Sequence, residues 1–207
     1  PVHAAWFSSI EAASSEFLEN NKTASAYNNN IELPEFLNQS ISEDGSDFDS
    51  VLTEFFDVAE NSEINACSGR FFGYVPGGGI PTAAFADFAA SITNRYAGVY
   101  GAGSSTAAME NHLIENLCNL MGLPDTAHGT LLSGGTLSTL TAIIAARETR
   151  PHDQWAKSVV YLSKECHNAF EKSLKIAGLA HLPIRYLELD DSLRLSPEAL
   201  TKQIAID

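Results

Sequence analysis

Gly129-Thr-Leu-Leu-Ser-Gly-Gly-Thr-Leu-Ser-Thr-Leu-Thr-Ala-Ile-Ile-Ala-Ala-Arg147 is the stretch whose reading decides the fold. A few apolar residues lead into Gly134-Gly135, and a small-residue amphipathic helix follows as far as Arg147. The free N–H groups and positive dipole end of a helix N-terminus attract anions. Glycines there let a ligand approach the backbone, and the Thr136 hydroxyl adds a donor. Together these make a site sized for a phosphate. A Gly-Gly pair before a helix also serves as a plain tight connection. The pattern is neither G-x-G-x-x-G nor a Walker loop, because no lysine follows the glycines, and the nucleotide readings fall with it.

The 207 residues carry a net charge of −14. That balance, with lysines and arginines scattered along the chain, argues against nucleic acid and against an anionic membrane surface. Cys67, Cys118 and Cys166 are odd in number and lack C-x-x-C spacing, so they read as reduced thiols, neither a disulfide frame nor a zinc site. No metal site is expected. The start, Pro1-Val-His-Ala-Ala-Trp6, shows no basic region followed by an apolar run, and no window reads as a membrane span. A soluble, cytoplasmic protein is expected.

Two N-terminal helices are predicted, from His3 to Asn20 and from Ser46 to Glu60, joined by an extended Asn- and Ser-rich linker from Asn21 to Ser42. Two amphipathic helices joined in this way cannot bury themselves alone, so residues 1–65 read as an extension that packs on the main body or on another subunit. Residues 66–207 read as the main domain. It opens with an aromatic and glycine loop, Ser68 to Pro81, whose Phe71, Phe72 and Tyr74 either pack beneath it or line a pocket. A helix from Thr82 to Asn94, capped by Thr82, is expected to turn Phe85, Phe88 and Ile92 inward. Ala97 to Ser105 read as a turn region. The helix from Thr106 to Met121 is expected to bury Met109, Leu113, Leu117, Leu120 and Met121, with Gly122 as its C-terminal cap. Glu110 then falls near the helix start, where the dipole alone accounts for a carboxylate. Beyond Arg147, strands at Ser158–Leu162 and Ile184–Leu189 alternate with helices, the last begun by Ser196-Pro197. This is an α/β pattern with a parallel or mixed sheet. Ligands bind such sheets at the carboxyl ends of the strands. The Gly134-Gly135-Thr136 turn and His167 both fall there, and His167 can stack on a planar ring, shuttle a proton or cap the helix that follows.

Phe72-Gly-Tyr-Val-Pro76, Ser133-Gly-Gly-Thr136 and Tyr161-Leu-Ser-Lys-Glu-Cys-His167, in that order, with the Ala-Ala-Arg147 helix ending, resemble the pyridoxal-phosphate-dependent group II amino-acid decarboxylases. The likeness covers roughly residues 45 to 207. It implies a fold-type-I, transferase-like large domain: a mainly parallel sheet flanked by helices, with the N-terminal helical extension packing across a homodimer. It implies pyridoxal 5'-phosphate as cofactor. Gly134, Gly135 and Thr136 are then the phosphate-binding residues, and His167 is the catalytic residue stacked on the pyridine ring. Phe72, Tyr74 and Pro76 lie in a substrate-lining loop. The implied reaction is decarboxylation of an aromatic or acidic L-amino acid to its amine and carbon dioxide.

Three departures from the family pattern stand out. Leu137 takes the place of a common acidic residue and is followed by Ser138-Thr139. Gly103-Ser-Ser-Thr-Ala-Ala-Met-Glu110 keeps only the last glutamate of the family's corresponding segment. None of the six lysines follows a histidine, so the family's Schiff-base lysine and its pyridine-pairing aspartate are expected on a further C-terminal segment. On this expectation the chain is the N-terminal portion of the enzyme, inactive by itself. The competing readings are an inactive truncated homologue acting as a binding or regulatory subunit, and a related carbon–carbon lyase.

Overall fold

The computed structural model describes residues 2–29, 32, 34–38, 40, 43–61 and 63–207. Part of the expected linker before Ser42 lies outside the described residues. Contacts divide the chain into two compact units, Pro1–Arg95 and Tyr96–Asp207.

The first unit holds α1 (Val2–Asn21), a short 3-10 turn (Glu35–Asn38), α2 (Phe48–Glu60) and α3 (Pro81–Thr93). Asp47 starts α2 by accepting the Ser50 N–H, which satisfies one of the amides a helix leaves unpaired at its first turn. α1 and α2 pack through aromatic pairs, with Trp6 stacked on Phe48 at 5.0 Å and Phe17 5.6 Å from Phe56. The first part of the expected linker is pinned. Tyr27 bridges Ile64 in antiparallel fashion, Ser68 Oγ donates to the Ala24 carbonyl at 2.7 Å, and Asn65 Nδ2 donates to Asn21 Oδ1 at 2.7 Å. Two expectations for α3 are corrected. It begins one residue before Thr82, with Pro81 at its first position and no side-chain cap, because proline brings a fitting φ and lacks the N–H that would go unpaired there. Phe85, Phe88 and Ile92 are exposed, not inward, since no described residue covers most of that face.

The second unit holds α4 (Tyr100–Leu120), α5 (Gly135–Glu148), a 3-10 turn (His152–Lys157), β1 (Val160–Ser163), α6 (Ala169–Ile176), β2 (Ile184–Leu187) and α7 (Pro197–Ile206). The turn region expected over Ala97 to Ser105 holds one short helical turn from Tyr100, which a break at Gly103 (φ −134°, ψ 38°) separates from the long helix that follows. A Cβ on Gly103 would stand 2.5 Å from the Tyr96 carbonyl oxygen, so the backbone approach admits only glycine. Gly122 follows the helix at φ 68°, in the left-handed conformation that suits glycine just past a helix end. The residues expected to be buried on α4, Met109, Leu113, Leu117, Leu120 and Met121, are exposed. Their helical spacing gives α4 an apolar stripe, and no described residue covers it.

β1 and β2 pair in parallel from Val160 opposite Ile184 to Ser163 opposite Leu187, with α6 as the crossover. The core lies where α5 and α6 meet this pair. Leu174, Ala177, Leu179 and Leu182 are buried, and Leu140, Ile143, Ile144, Trp155, Val160 and Ile184 pack against them. On α5 the residues at 140, 143 and 144 share one helical face, and that face looks onto α6. α7 begins as its sequence predicts, with Ser196 Oγ accepting the Ala199 N–H at 3.2 Å and Pro197 at the first position.

Candidate functional site

The N-terminus of α5 is open. Gly134 precedes it in an extended conformation and no side chain caps it. The first bond back along the helix runs from the Ser138 N–H to the Gly134 carbonyl at 3.0 Å, so the amides of Gly135, Thr136 and Leu137 have no protein partner among the described residues. The Ser138 and Thr139 hydroxyls donate backwards to the Gly134 and Gly135 carbonyls, which removes them from the turn. Thr136 makes no such bond. A Cβ on Gly134 or Gly135 would meet nothing within 4 Å, so there is space against the backbone for a ligand. Three free amides, one free hydroxyl, a dipole end and clear space fit a phosphate group.

His167 sits in the link between β1 and α6. Its Nδ1 accepts the Ala169 N–H at 3.1 Å, and its carbonyl accepts the Phe170 N–H at 3.1 Å. Of the three roles left open by the sequence, the structure therefore shows the helix-capping one directly. The same bond fixes the ring. In the neutral imidazole it places the proton on Nε2, and the residue is exposed, so a ring face remains available to a planar group.

The turn and His167 lie at the same end of the α5–α6 pair. Arg147, in the last turn of α5, donates through Nη1 to the carbonyl of Ala177, just past the end of α6, at 2.6 Å. The helices are packed side by side with their C-termini together, which leaves Gly135 and Ala169 both at the opposite end. Phe72, Tyr74 and Pro76 belong to the first unit and are described within it. Phe71 is half-buried, while Phe72 and Tyr74 are 95% and 86% exposed, so the loop divides its aromatics between packing and display. Tyr74 holds φ 57°, a left-handed conformation that is unfavourable by about 1–2 kcal/mol for a residue with a side chain.

Two features of this region are absent from the sequence reading. Glu110 stands seven residues past the break at Gly103, in the second turn of the helix that continues from it, as expected, and it makes contacts beyond that turn. Its Oε1 accepts the Leu131 N–H at 3.4 Å and the Thr130 hydroxyl at 3.5 Å, which ties the segment leading into the turn to α4. The helix dipole is therefore not the whole account of this carboxylate, and the signal for its further contacts was the one glutamate kept from the family segment. The other feature is a charged contact around Asp207. Arg185 donates to its carboxylate through Nε and Nη2 at 2.8 and 2.6 Å, and Tyr161 donates its O–H at 3.2 Å. The Arg185 hydrogen bond is the main reason that the Asp207 carboxyl is held below its ordinary value. Tyr161 is raised, first by burial and then by its bond to that carboxylate. Tyr186, on β2, donates to Glu171, and this bond raises its phenol. These contacts fasten α6 and α7 to the strands. No described helix is long and apolar enough to cross a membrane.

Comparison with known proteins identifies the family and the fold. The family model described as the pyridoxal-dependent decarboxylase conserved domain matches residues 31–207. An aromatic-L-amino-acid decarboxylase of Bacillus atrophaeus is 34% identical over 171 residues, which is 83% of this chain and 36% of that protein. The crystal structure of mouse CSAD superposes with a TM-score of 0.82 at 22% identity, covering all of this chain and 45% of the other. That of Oryza sativa TDC with PLP and tryptamine gives 0.84 at 19%, covering 99% and 48%. At these identities the two structures establish the fold, that of a fold-type-I domain. The chain spans between about a third and a half of the length of these relatives.

Proposed function

The chain belongs to the pyridoxal-dependent decarboxylase family, and from that premise we propose that it supplies the phosphate- and ring-binding residues of an enzyme that decarboxylates an aromatic or acidic L-amino acid. The observation that carries the reading is the uncapped N-terminus of α5, open at Gly134 and Gly135, at the same end of the α5–α6 pair as a histidine whose ring is already held. Bound pyridoxal 5'-phosphate supplies an electron sink, since its protonated ring accepts the electron pair left when carbon dioxide departs from the amino acid. The chain's own residues bind and orient. The Gly135, Thr136 and Leu137 amides and the Thr136 hydroxyl hold the phosphate. His167 lays its ring against the pyridine face and keeps the plane of the ring constant. The family likeness assigns Phe72, Tyr74 and Pro76 to the substrate-lining loop, and the aromatic rings of Phe72 and Tyr74 favour an aromatic amino acid. The lysine that anchors the cofactor and the acid that pairs with the pyridine nitrogen are assigned to polypeptide outside these residues. A cytoplasmic homodimer, with residues 1–65 as a dimer-packing extension, completes the proposal. The exposed apolar faces of α3 and α4 support it.

The test uses the full-length polypeptide. Purified with pyridoxal 5'-phosphate, it should show the visible absorbance of bound cofactor and release carbon dioxide from one member of a panel of aromatic and acidic L-amino acids. Gly135→Ala should leave the fold intact, because its Cβ meets open space, yet weaken cofactor binding by filling the phosphate's place. A wild-type protein without the visible band, or a Gly135→Ala variant with unchanged cofactor affinity, would sink the assignment.

A further inference from the structure

The geometry points to Arg147 as a positioning residue that sets the register of the phosphate turn against His167 from the far end of both helices. This rests on the site proposed above. Arg147 follows Leu140, Ile143 and Ile144 on the face of α5 that meets α6, at the place where a further apolar side chain would be expected. Its side chain is 19% exposed, and its guanidinium is engaged on several sides. Nη1 donates to the Ala177 carbonyl at 2.6 Å. Nε and Nη2 donate to the Glu148 carboxylate at 2.9 and 2.6 Å. The plane lies 4.2 Å from the centre of the Trp155 ring, and Trp155 is itself held by donating its indole N–H to the Arg150 carbonyl at 3.1 Å.

Ala177 is buried, and its carbonyl is one of those a helix leaves unpaired at its end. Among the described residues Arg147 is its donor. The fork of a guanidinium can meet this carbonyl, a carboxylate and an aromatic face at once, which an ammonium cannot. From this clamp, Thr136 lies eleven residues back along α5 and His167 ten residues back along the chain that forms α6. At about 1.5 Å per helical residue the α5 arm measures roughly 16 Å and α6 itself roughly 12 Å, with His167 two residues before its first turn. The phosphate donors and the stacking ring are therefore carried at the same end of the pair, and a slide of α5 by one residue would shift one against the other by about 1.5 Å. Arg147 touches neither, and acts through the two helices.

The test compares Arg147→Met, Arg147→Lys and, as a control for loss of a nearby cation, Arg150→Met in the full-length protein. Three quantities are read: the dissociation constant for pyridoxal 5'-phosphate added to apoenzyme, the visible circular dichroism of the bound ring, and kcat separately from KM. Arg147→Met should raise the dissociation constant by about tenfold, the scale of one weakened hydrogen bond to the phosphate. It should also diminish the visible dichroism and lower kcat more than it raises KM. Arg147→Lys should recover part of each, and Arg150→Met should match wild type. A folded Arg147→Met with wild-type affinity and dichroism would overturn the clamp. Should that variant fail to fold, Trp155→Phe decides in its place, with a smaller change in the same direction expected and no change overturning it. If the wild type itself shows no pyridoxal band, the site reading falls and the clamp with it. A normal wild-type band beside an unaltered variant removes the clamp alone.

Discussion

Helices α4 and α5 both carry an apolar stripe, and they meet opposite surroundings. On α5, Leu140, Ile143 and Ile144 pack on a cluster in which Leu174 is 5% exposed. On α4, Met109 is 73% exposed and Leu113, Leu117 and Leu120 are exposed with it. Helical periodicity says which face is apolar, but it does not say what covers that face. α5 finds its cover about thirty residues downstream, in the helix and strands of the β1–α6–β2 unit, whereas α4 finds none among the described residues.

The sharpest test of this contrast is truncation in each region of the full-length protein. Leu174→Ala removes a buried side chain and should cost about 3 kcal/mol in denaturant unfolding. Met109→Ala should cost far less if α4 stays open to solvent. An equal loss at Met109 would show that the assembled protein covers α4, and the contrast would then belong to this segment of chain alone. A second test lies inside the covered region. Ser173 is fully buried and its hydroxyl has no hydrogen-bond partner among the described residues. Removing an unsatisfied hydroxyl at nearly constant shape should be neutral or stabilising by about 1 kcal/mol. A Ser173→Ala variant with a clearly lowered Tm would mean that the hydroxyl has a partner after all.

The smallest effect concerns the fastening of α7. The Asp207 carboxyl is held below its ordinary value of 3.8, chiefly by Arg185. A depressed carboxyl contributes stability that is present above that ordinary value and is lost as pH falls through the lower folded one. Acidification below 3.8 should therefore loosen α7 in wild type, read as faster amide exchange across Pro197–Ile206. Asp207→Asn should show that looser state at neutral pH and no further acid step of this origin. An identical acid response in the variant would remove Asp207 as the cause.

What could be read in the sequence follows the same division. The turn at Gly134-Gly135, the Ser196-Pro197 start of α7 and the Gly122 stop of α4 depend on residues within a few positions of each other, and local backbone chemistry specifies them. The alternation of strands and helices after Arg147 likewise gave the parallel pair. The contacts of Glu110 were not legible because its partners, Thr130 and Leu131, stand about twenty residues away. Arg147 was legible only as the end of a motif. Its contacts with Ala177 and Trp155 depend on how α5 comes to rest against α6, and no spacing in the chain announces that. His167 was placed at the right edge, but the bond to the Ala169 amide that fixes its ring is a matter of local geometry that residue type leaves open.

The closeness of these contacts along the chain also bears on the order of assembly. Val160 meets Ile184 and Arg147 meets Ala177 across separations of a few tens of residues, so little loop-closure entropy stands against them. Short separations favour rapid folding, and domains form progressively as a chain is synthesised. The β1–α6–β2 unit with α5 is thus expected to be the earliest stable nucleus of the second unit. The Gly134-Gly135 turn and the ring of His167 would then be set in place early, before α4 or the first unit need have found their own packing.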